Sequence, residues 1–108
     1  MESKYSYKFA PKAKSDLDAI IIYIEQELSN PKAAEDFVFA LFEKINSTTA
    51  FPDLGQPINN EFIIDQTLRK FFIGNYIVFY KSDKKTETII IIRIVYGRRD
   101  INAILKSI

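Results

Sequence analysis

The chain has 108 residues, of which 47% are hydrophobic and 14% are aromatic. This length predicts a single domain over residues 1–108, large enough to bury a core without disulfides or metals. Because the chain has no Cys and no His, the composition excludes a disulfide framework, a thiolate metal site and a catalytic cysteine or histidine. We therefore expect no metal and no cofactor, and any catalysis would have to use Tyr, Lys, Arg, Asp or Glu.

Charge is distributed unevenly along the chain. The net charge is only +1, from 15 basic and 14 acidic side chains. Residues 1–68 carry 6 Lys or Arg and 11 Asp or Glu, whereas residues 69–108 carry 9 and 3. The first part therefore has a net charge of −5 and the second a net charge of +6. This asymmetry predicts a surface that meets an anionic partner, unless acidic helices simply cover a mildly basic sheet.

The lengths of the apolar runs in the sequence bear on the cellular location of the protein. Residues 1–12 contain no apolar run of signal-peptide length, and no stretch approaches the length of a membrane span. We therefore expect a cytoplasmic protein without a membrane partner.

The first half of the sequence predicts one strand and two helices. Aromatic residues alternate with polar ones over residues 4–10, which predicts a strand. Pro11 can open a helix, and apolar residues recur at helical spacing over residues 13–28. Asn30 and Pro31 then provide an N-cap and a first position for a second helix. The inward positions of this second helix are Ala34, Phe37, Val38, Leu41 and Ile45.

The second half predicts three further strands, over residues 67–73, 74–81 and 87–100. A turn-rich segment and a loop of uncertain shape over residues 58–66 precede them. The last strand is apolar on both faces, so we expect it to lie inside the sheet rather than at an edge. The sheet face that the helices do not cover is then partly apolar, which predicts that something else docks there.

The predicted element order is β-α-α-β-β-β. This order is typical of an α+β two-layer sandwich, with a helical hairpin packed on one face of a mostly antiparallel twisted sheet. Residues 101–108 form either a short helix or an extended tail. Their apolar stripe needs a cover, so we expect this segment to be the most mobile part of the chain without a partner.

Five cations in the second half are candidate functional or structural groups. Arg69 with Lys70, and Arg98 with Arg99, could converge from adjacent strand ends on one phosphodiester or on a run of carboxylates. The alternative is that each is a separate solvated cation. Arg93 interrupts an apolar strand, and because an inward Arg must be paired, we expect it to pair with a carboxylate of the first helix.

Three strand tyrosines, Tyr76, Tyr80 and Tyr96, are candidate proton donors or stacking rings. The favoured interpretation is that they are core residues with satisfied hydroxyl groups. Glycine-rich phosphate loops, nucleophile elbows and metal-ligand spacings are absent from the sequence.

Several motifs occur in a characteristic order along nearly the whole chain. They are Asp16-Leu17-x-x-Ile20-x-x-Tyr23, Phe51-Pro52-x-x-Gly55, Leu68-Arg69, Gly74-Asn75-Tyr76-x-x-Phe79-Tyr80 and Arg93-Ile94-x-Tyr96-Gly97-Arg98-Arg99-Asp100. This ordered set resembles the RelE/ParE superfamily, the small toxins of bacterial type II toxin–antitoxin systems. The resemblance implies the same β-α-α-β-β-β fold and a stress-linked growth inhibitor. It also implies a cognate antitoxin, which binds through an acidic and apolar C-terminal segment.

The two branches of this superfamily act on different targets. RelE-like members cut mRNA on the ribosome, using basic groups and a C-terminal tyrosine, whereas ParE-like members inhibit DNA gyrase without established catalytic chemistry. If this chain were a ribonuclease, the resemblance would imply catalytic roles for Arg99, Arg69, Lys70 and Tyr96. With either target, the residues expected to contact the target or the antitoxin are Arg98, Arg99, Arg69, Lys70, Ile101 and Leu105.

The sequence departs from the RelE branch at two positions. The sheet arginine of that branch falls on Ile77, and its C-terminal tyrosine falls near Leu105. The long first helix and the Phe-Pro-x-x-Gly turn are closer to the ParE branch, and so is the near-neutral net charge. We therefore predict gyrase inhibition. A ribosome-dependent mRNA endoribonuclease is the alternative, and a target-free partner of an antitoxin is a third possibility.

Overall fold

A computed structural model of the chain describes residues 4–58 and 67–108. The strands are β1 (Ser6–Phe9), β2 (Gln56–Pro57), β3 (Leu68–Ile73), β4 (Tyr76–Asp83) and β5 (Thr88–Tyr96). The helices are α1 (Pro11–Ile22), continued by a π-helical turn (Tyr23–Glu27), α2 (Pro31–Ala50) and α3 (Ile101–Lys106). The predicted β-α-α-β-β-β order is confirmed, β2 is an addition, and α3 is the helical one of the two alternatives predicted for residues 101–108. Of the predicted loop over residues 58–66, all but the first residue lies outside the described residues.

The helical hairpin turns at a hydrogen-bonded break. The backbone N–H of Leu28 donates to the carbonyl oxygen of Tyr23 at 3.2 Å, which is the i to i−5 bond of a π-helical turn. Asn30 Oδ1 then accepts a hydrogen bond from the N–H of Ala33 at 3.1 Å. This bond satisfies one of the free donors of the first turn of α2 and confirms the predicted N-cap.

The five strands form one mixed sheet in the order β1-β5-β4-β3-β2. β1 runs parallel to β5, and all other neighbours are antiparallel. β5 lies between β1 and β4, which confirms its predicted interior position. Phe79 pairs with Arg93 while Tyr80 pairs with Ile91, so Ile92 is an extra residue and β5 has a β-bulge at this point.

α1 and α2 cover one face of the sheet, as an α+β two-layer fold requires. Four of the five positions of α2 that were predicted to face inward are buried, and Val38 is partly buried. Tyr80 is the largest fully buried side chain of this layer. The buried residues of this helix-face cluster are Ala13, Ile20, Ile24, Ala34, Phe37, Leu41, Ile45, Phe71, Ile73, Val78, Tyr80, Ile89, Ile91 and Ile94.

α3 covers part of the second face of the sheet. Asp100 Oδ1 accepts a hydrogen bond from the N–H of Ala103 at 3.1 Å and caps the helix. Ile104 and Leu105 are only 6% and 3% exposed. The α3-face cluster consists of Leu68, Ile77, Phe79, Val95, Ile104 and Leu105, with Ile101 packed against it.

This packing corrects two predictions. The second sheet face was expected to need an external partner, and the apolar stripe of residues 101–108 was expected to need a cover. The expectation for the stripe is wrong, because the sheet covers it. The expectation for the sheet face is wrong only where α3 packs, since Phe72 on the same face is 47% exposed. The prediction that residues 101–108 are the most mobile part of the chain depended on an uncovered apolar stripe. It no longer has this support, because the stripe is packed against the sheet.

Candidate functional site

The predicted cations lie in two separate places. Arg69 lies opposite Tyr80 on β4, and Tyr80 lies opposite Ile91 on β5. Arg98 and Arg99 follow the end of β5, where the last strand residue is five positions beyond Ile91, or about 16 Å along the strand. The prediction that the two pairs converge from adjacent strand ends is therefore wrong.

Arg69 and Tyr80 hold the turn that follows α2. Arg69 Nη1 donates to the carbonyl oxygens of Gly55 at 2.6 Å and Asp53 at 3.2 Å, and its Nε lies 3.5 Å from Asp53 Oδ1. The Tyr80 hydroxyl donates to the carbonyl oxygen of Pro52 and accepts from the N–H of Gly55, both at 2.9 Å. The guanidinium of Arg69 therefore has a structural role in the described fold.

Gly55 is required at the close approach between this turn and the sheet. A Cβ atom at this position would lie 2.6 Å from a ring carbon and from the hydroxyl oxygen of Tyr80, and 2.7 Å from the carbonyl oxygen of Lys70. Burial raises the pKa of the Tyr80 phenol, an effect that the hydrogen bond from Gly55 partly opposes. The Phe-Pro-x-x-Gly motif is thus explained by packing, and Tyr80 is confirmed as a core tyrosine with a satisfied hydroxyl group.

Lys70 lies on the opposite face of the sheet from Arg69. Side chains alternate along β3, and Arg69 shares its face with Phe71 of the helix-face cluster. Lys70 shares its face with Leu68 of the α3-face cluster. The Nζ atom of Lys70 lies 5.6 Å from the centre of the Phe72 ring, within the range of a cation–π contact. The two neighbouring cations therefore cannot act together on one small ligand.

Arg93 forms the predicted structural ion pair. Its Nε and Nη2 atoms donate to the carboxylate of Asp16 at 2.8 and 3.2 Å, and the same carboxylate accepts from the N–H of Ile94 at 2.9 Å. β1 ends opposite Ile91, so within the described ranges the following residues of β5 have no neighbouring strand on that side. Asp16 supplies the missing acceptor.

A groove of about 560 Å³ lies between α1, its π-helical turn and the end of β5. Arg99 lines this groove together with Tyr23, Tyr76 and Tyr96, and we call it the Arg99 groove. The rings of Tyr76 and Tyr96 meet edge to face, with their centres 5.6 Å apart. Tyr23 was not predicted as a site residue from the sequence, although it is the tyrosine at the end of the first-helix motif, three residues after Ile20.

Arg98 and Arg99 are exposed at the junction of β5 and α3. Their guanidinium groups make no hydrogen bond or ion pair with another residue in the described ranges. The backbone N–H of Arg99 donates to the carbonyl oxygen of Tyr96 at 3.0 Å, which fixes the turn. Two adjacent guanidinium groups on a fixed turn can bind carboxylates or phosphates through paired donors.

Tyr76 of the Arg99 groove is a hydrogen-bond donor at neutral pH. Burial raises the pKa of the Tyr76 phenol, with smaller effects from Tyr23 and Tyr96. A phenol with a raised pKa stays protonated at neutral pH, so Tyr76 can donate a hydrogen bond but cannot act as a general base. Within residues 4–58 and 67–108, no cluster of acidic side chains is suited to hold a metal ion.

Two positions of the α3-face cluster bear on catalysis. The resemblance placed the arginine of the RelE branch on Ile77 and its tyrosine near Leu105, and these two residues are 7% and 3% exposed. Both belong to the same apolar cluster. Leu105 is therefore not available to a partner while α3 is docked, and Ile101, which is partly buried, is only partly available.

Comparison with known proteins identifies the family. Residues 7–101 match the family model of the ParE toxin of the type II toxin–antitoxin system parDE. The chain belongs to the ParE toxin family. This assignment confirms the resemblance to the RelE/ParE superfamily. No curated protein sequence matches this ParE-family toxin, and none of its described helices is both long enough and apolar enough to cross a membrane.

Solved structures share the fold of this ParE-family toxin. A chain of the chromosomal ParDE system from P. aeruginosa is 22% identical, with a TM-score of 0.66, and the match covers 86% of this chain and 96% of that chain. A chain of the archaeal RelE–RelB complex from Pyrococcus horikoshii OT3 is 20% identical, with a TM-score of 0.62 and coverages of 90% and 99%. The isolated E. coli RelE toxin is 12% identical, with a TM-score of 0.60 and coverages of 96% and 99%.

Proposed function

We propose that this ParE-family toxin inhibits growth by binding DNA gyrase, and that a cognate antitoxin neutralises it in the cytoplasm. The observation that carries this proposal is the burial of Ile77 and Leu105 in the α3-face cluster. By the family resemblance, the arginine of the RelE branch falls on Ile77 and its tyrosine falls near Leu105. Two apolar side chains in a core can neither stabilise a phosphorane nor transfer a proton.

The surface proposed for binding is the junction of β5 and α3. Arg98 and Arg99 are exposed there and have no partner among the described residues. Such a pair suits an acidic surface of the target, and it also suits the acidic and apolar segment that the family resemblance implies for an antitoxin. Support for an antitoxin comes from the related structures, which include a ParDE system and RelE–RelB complexes.

A ribosome-dependent endoribonuclease is the second candidate function. It is favoured by the position of Arg99 beside Tyr76 and Tyr96 in one groove. Arg99 would bind the scissile phosphate there, and a protonated phenol would donate to the leaving oxygen. Arg69 and Lys70, the other expected members of this catalytic set, lie elsewhere on the sheet.

The first experiment compares the two targets with the same antitoxin-free protein. We expect inhibition of gyrase supercoiling, and no cleavage of a defined mRNA on programmed ribosomes. The double variant Arg98→Ala/Arg99→Ala should lose at least tenfold in inhibition, because its paired donors are removed. The matched control is Lys84→Ala/Lys85→Ala, which removes the same charge from the β4–β5 turn and should retain inhibition.

Other outcomes would contradict the proposal. Cleavage in the ribosomal A site that disappears with Arg99→Ala would identify a RelE-like ribonuclease. A protein that affects neither target and does not arrest growth when expressed alone would be a target-free antitoxin partner. If both double variants lost inhibition equally, net charge rather than the β5–α3 junction would be responsible.

A further inference from the structure

Large apolar side chains that face solvent border the Arg99 groove. Tyr23, Leu28 and Tyr96 line it and are 48%, 55% and 39% exposed. Single exposed apolar residues are normal on a protein surface, whereas several around one concave groove mark a contact site. The Arg99 groove is therefore suited to receive part of another molecule.

The π-helical turn brings two of these side chains to the same side of the chain. The N–H of Leu28 donates to the carbonyl oxygen of Tyr23 at 3.2 Å, although the two residues are five positions apart. In a regular α-helix such residues point about 140° apart around the axis. The wider π-helical turn reduces this angle, and both side chains line the Arg99 groove. Turns of this kind are frequent at functional sites.

Tyr76 forms a fixed wall of the Arg99 groove. Its ring meets Phe37 of the helix-face cluster edge to face, with the ring centres 5.2 Å apart, and it meets Tyr96 in the same way at 5.6 Å. Tyr23 and Tyr96 both act on the pKa of Tyr76, which places their hydroxyl groups near its own. A side chain that enters the groove would therefore contact aromatic rings and meet phenol hydroxyl groups that can donate hydrogen bonds.

The charges around the groove favour an acidic occupant. Asp16 is the only carboxylate among the described lining residues, and it is paired with Arg93 at 2.8 Å. Arg99 lines the groove, Arg98 precedes it, and neither guanidinium group has a partner among the described residues. A nucleic-acid strand needs a longer track of cations, and no Lys is among the described lining residues. Two arginines beside an apolar groove instead fit a short protein segment.

We propose that the Arg99 groove binds a segment of DNA gyrase in which Asp or Glu flanks a large apolar side chain. This inference rests on the proposed function and names the part of the toxin that selects the target. The apolar side chain of gyrase contacts Tyr23 and Leu28, and the flanking carboxylates bind Arg98 and Arg99. The contact surface therefore extends from the β5–α3 junction onto the helical hairpin.

The first test measures binding of the antitoxin-free full chain to purified gyrase by surface plasmon resonance. Tyr23→Ala/Leu28→Ala should weaken binding at least about tenfold, because two apolar anchors are removed. The matched control is Phe51→Ala/Leu54→Ala, which truncates side chains that are 68% and 48% exposed outside the groove. The control should bind like the wild type. Circular dichroism and urea denaturation check that both double variants fold.

Salt separates the apolar part of the contact from the charged part. Raising the ionic strength from about 0.1 M to about 1 M shortens the Debye length from about 10 Å to about 3 Å. The factor lost by Tyr23→Ala/Leu28→Ala should stay nearly the same over this range. The factor lost by Arg98→Ala/Arg99→Ala should fall severalfold, because salt already weakens that attraction in the wild type.

A crosslinking experiment identifies the bound segment. Benzoylphenylalanine replaces Leu28 in the full chain, and the control carries it in place of Leu54. With purified gyrase, we expect position 28 but not position 54 to crosslink to a peptide in which a large apolar residue lies next to Asp or Glu. Mass spectrometry of the crosslinked peptide gives its sequence.

The outcomes separate this inference from the proposed function. A wild-type protein that does not bind gyrase would overturn both together. Wild-type binding that Tyr23→Ala/Leu28→Ala leaves unchanged, or that both apolar double variants weaken equally, would overturn this inference alone. The same holds for a crosslink from position 28 to DNA or to a segment without carboxylates, and for no crosslink from that position.

Discussion

Gly55 is enclosed by atoms that cannot easily move. A Cβ atom there would approach the Tyr80 ring and the Lys70 carbonyl oxygen to within 2.7 Å. The Tyr80 ring is fully buried, and the carbonyl group belongs to β3. Gly74 differs, because a Cβ atom there would meet nothing within 4 Å and only its φ of +56° favours glycine. The two glycines are thus required for different physical reasons.

This difference leads to a prediction at the residue scale. Gly55→Ala should lower the free energy of unfolding by about 2–3 kcal/mol through overpacking. Gly74→Ala should cost only about 1 kcal/mol, from the left-handed backbone alone. Urea denaturation of both variants, with unchanged m-values, measures the difference. Equal losses would show that the turn after α2 can shift away from Tyr80.

Asp16 is the second residue whose removal should be costly. In Asp16→Ala, the guanidinium of Arg93 and the N–H of Ile94 lose their acceptor, although Arg93 is only 11% exposed. We expect a loss of about 2–4 kcal/mol, less than a fully buried pair would lose. Asp18→Ala removes an exposed carboxylate from the same helix and should change stability by no more than about 0.5 kcal/mol.

Urea denaturation can also separate the attraction between Arg93 and Asp16 from the cost of removing the Arg93 charge from water. Arg93→Met replaces the buried cation by an apolar side chain of similar length, and the remaining Asp16 carboxylate is 16% exposed and keeps the N–H of Ile94 as a donor. We expect it to cost less than Asp16→Ala. The opposite order would mean that the guanidinium contributes mainly through packing.

At the scale of elements, α3 is the clearest difference between expectation and structure. Its docking on the sheet buries Leu105, whereas Ile108, just beyond the helix, is 46% exposed. Leu105→Ala should lower the free energy of unfolding by about 2–4 kcal/mol, because it leaves a cavity in the α3-face cluster. Ile108→Ala should have little effect. An unchanged stability of Leu105→Ala would show that α3 is undocked in solution.

The elements that were predicted correctly are marked by residues within or next to the element itself. The Asn30 cap begins α2, and the two-sided apolar pattern of β5 identifies an interior strand. The π-helical turn was missed because one i to i−5 bond has no compositional signature in this segment. The separation of Arg69 from Arg99 was missed because it depends on strand register and on the bulge at Ile92, which sequence alone does not specify.

At the scale of the whole molecule, family and fold could be predicted but the target could not. The TM-scores to a ParDE toxin and to two RelE toxins are 0.66, 0.62 and 0.60. The fold is therefore shared with structures from both ParDE and RelE systems, so the fold alone does not specify a target, and function depends on the side chains placed on it. The groove that Glu25 and Glu43 line between the two helices of the hairpin was not predicted from the sequence, because these residues become neighbours only when the helices pack together.

The parallel pairing of β1 with β5 has a consequence for synthesis of the toxin. Ser6 pairs with Thr88 and Phe9 with Ile91, so among the described residues the first strand to leave the ribosome has its strand neighbour near the end of the chain. Contacts this distant in sequence form slowly, since a large loop must close before they can form. β3 and β4 can pair earlier, but the five-stranded sheet cannot be completed, and β1 cannot be paired, before β5 has been translated.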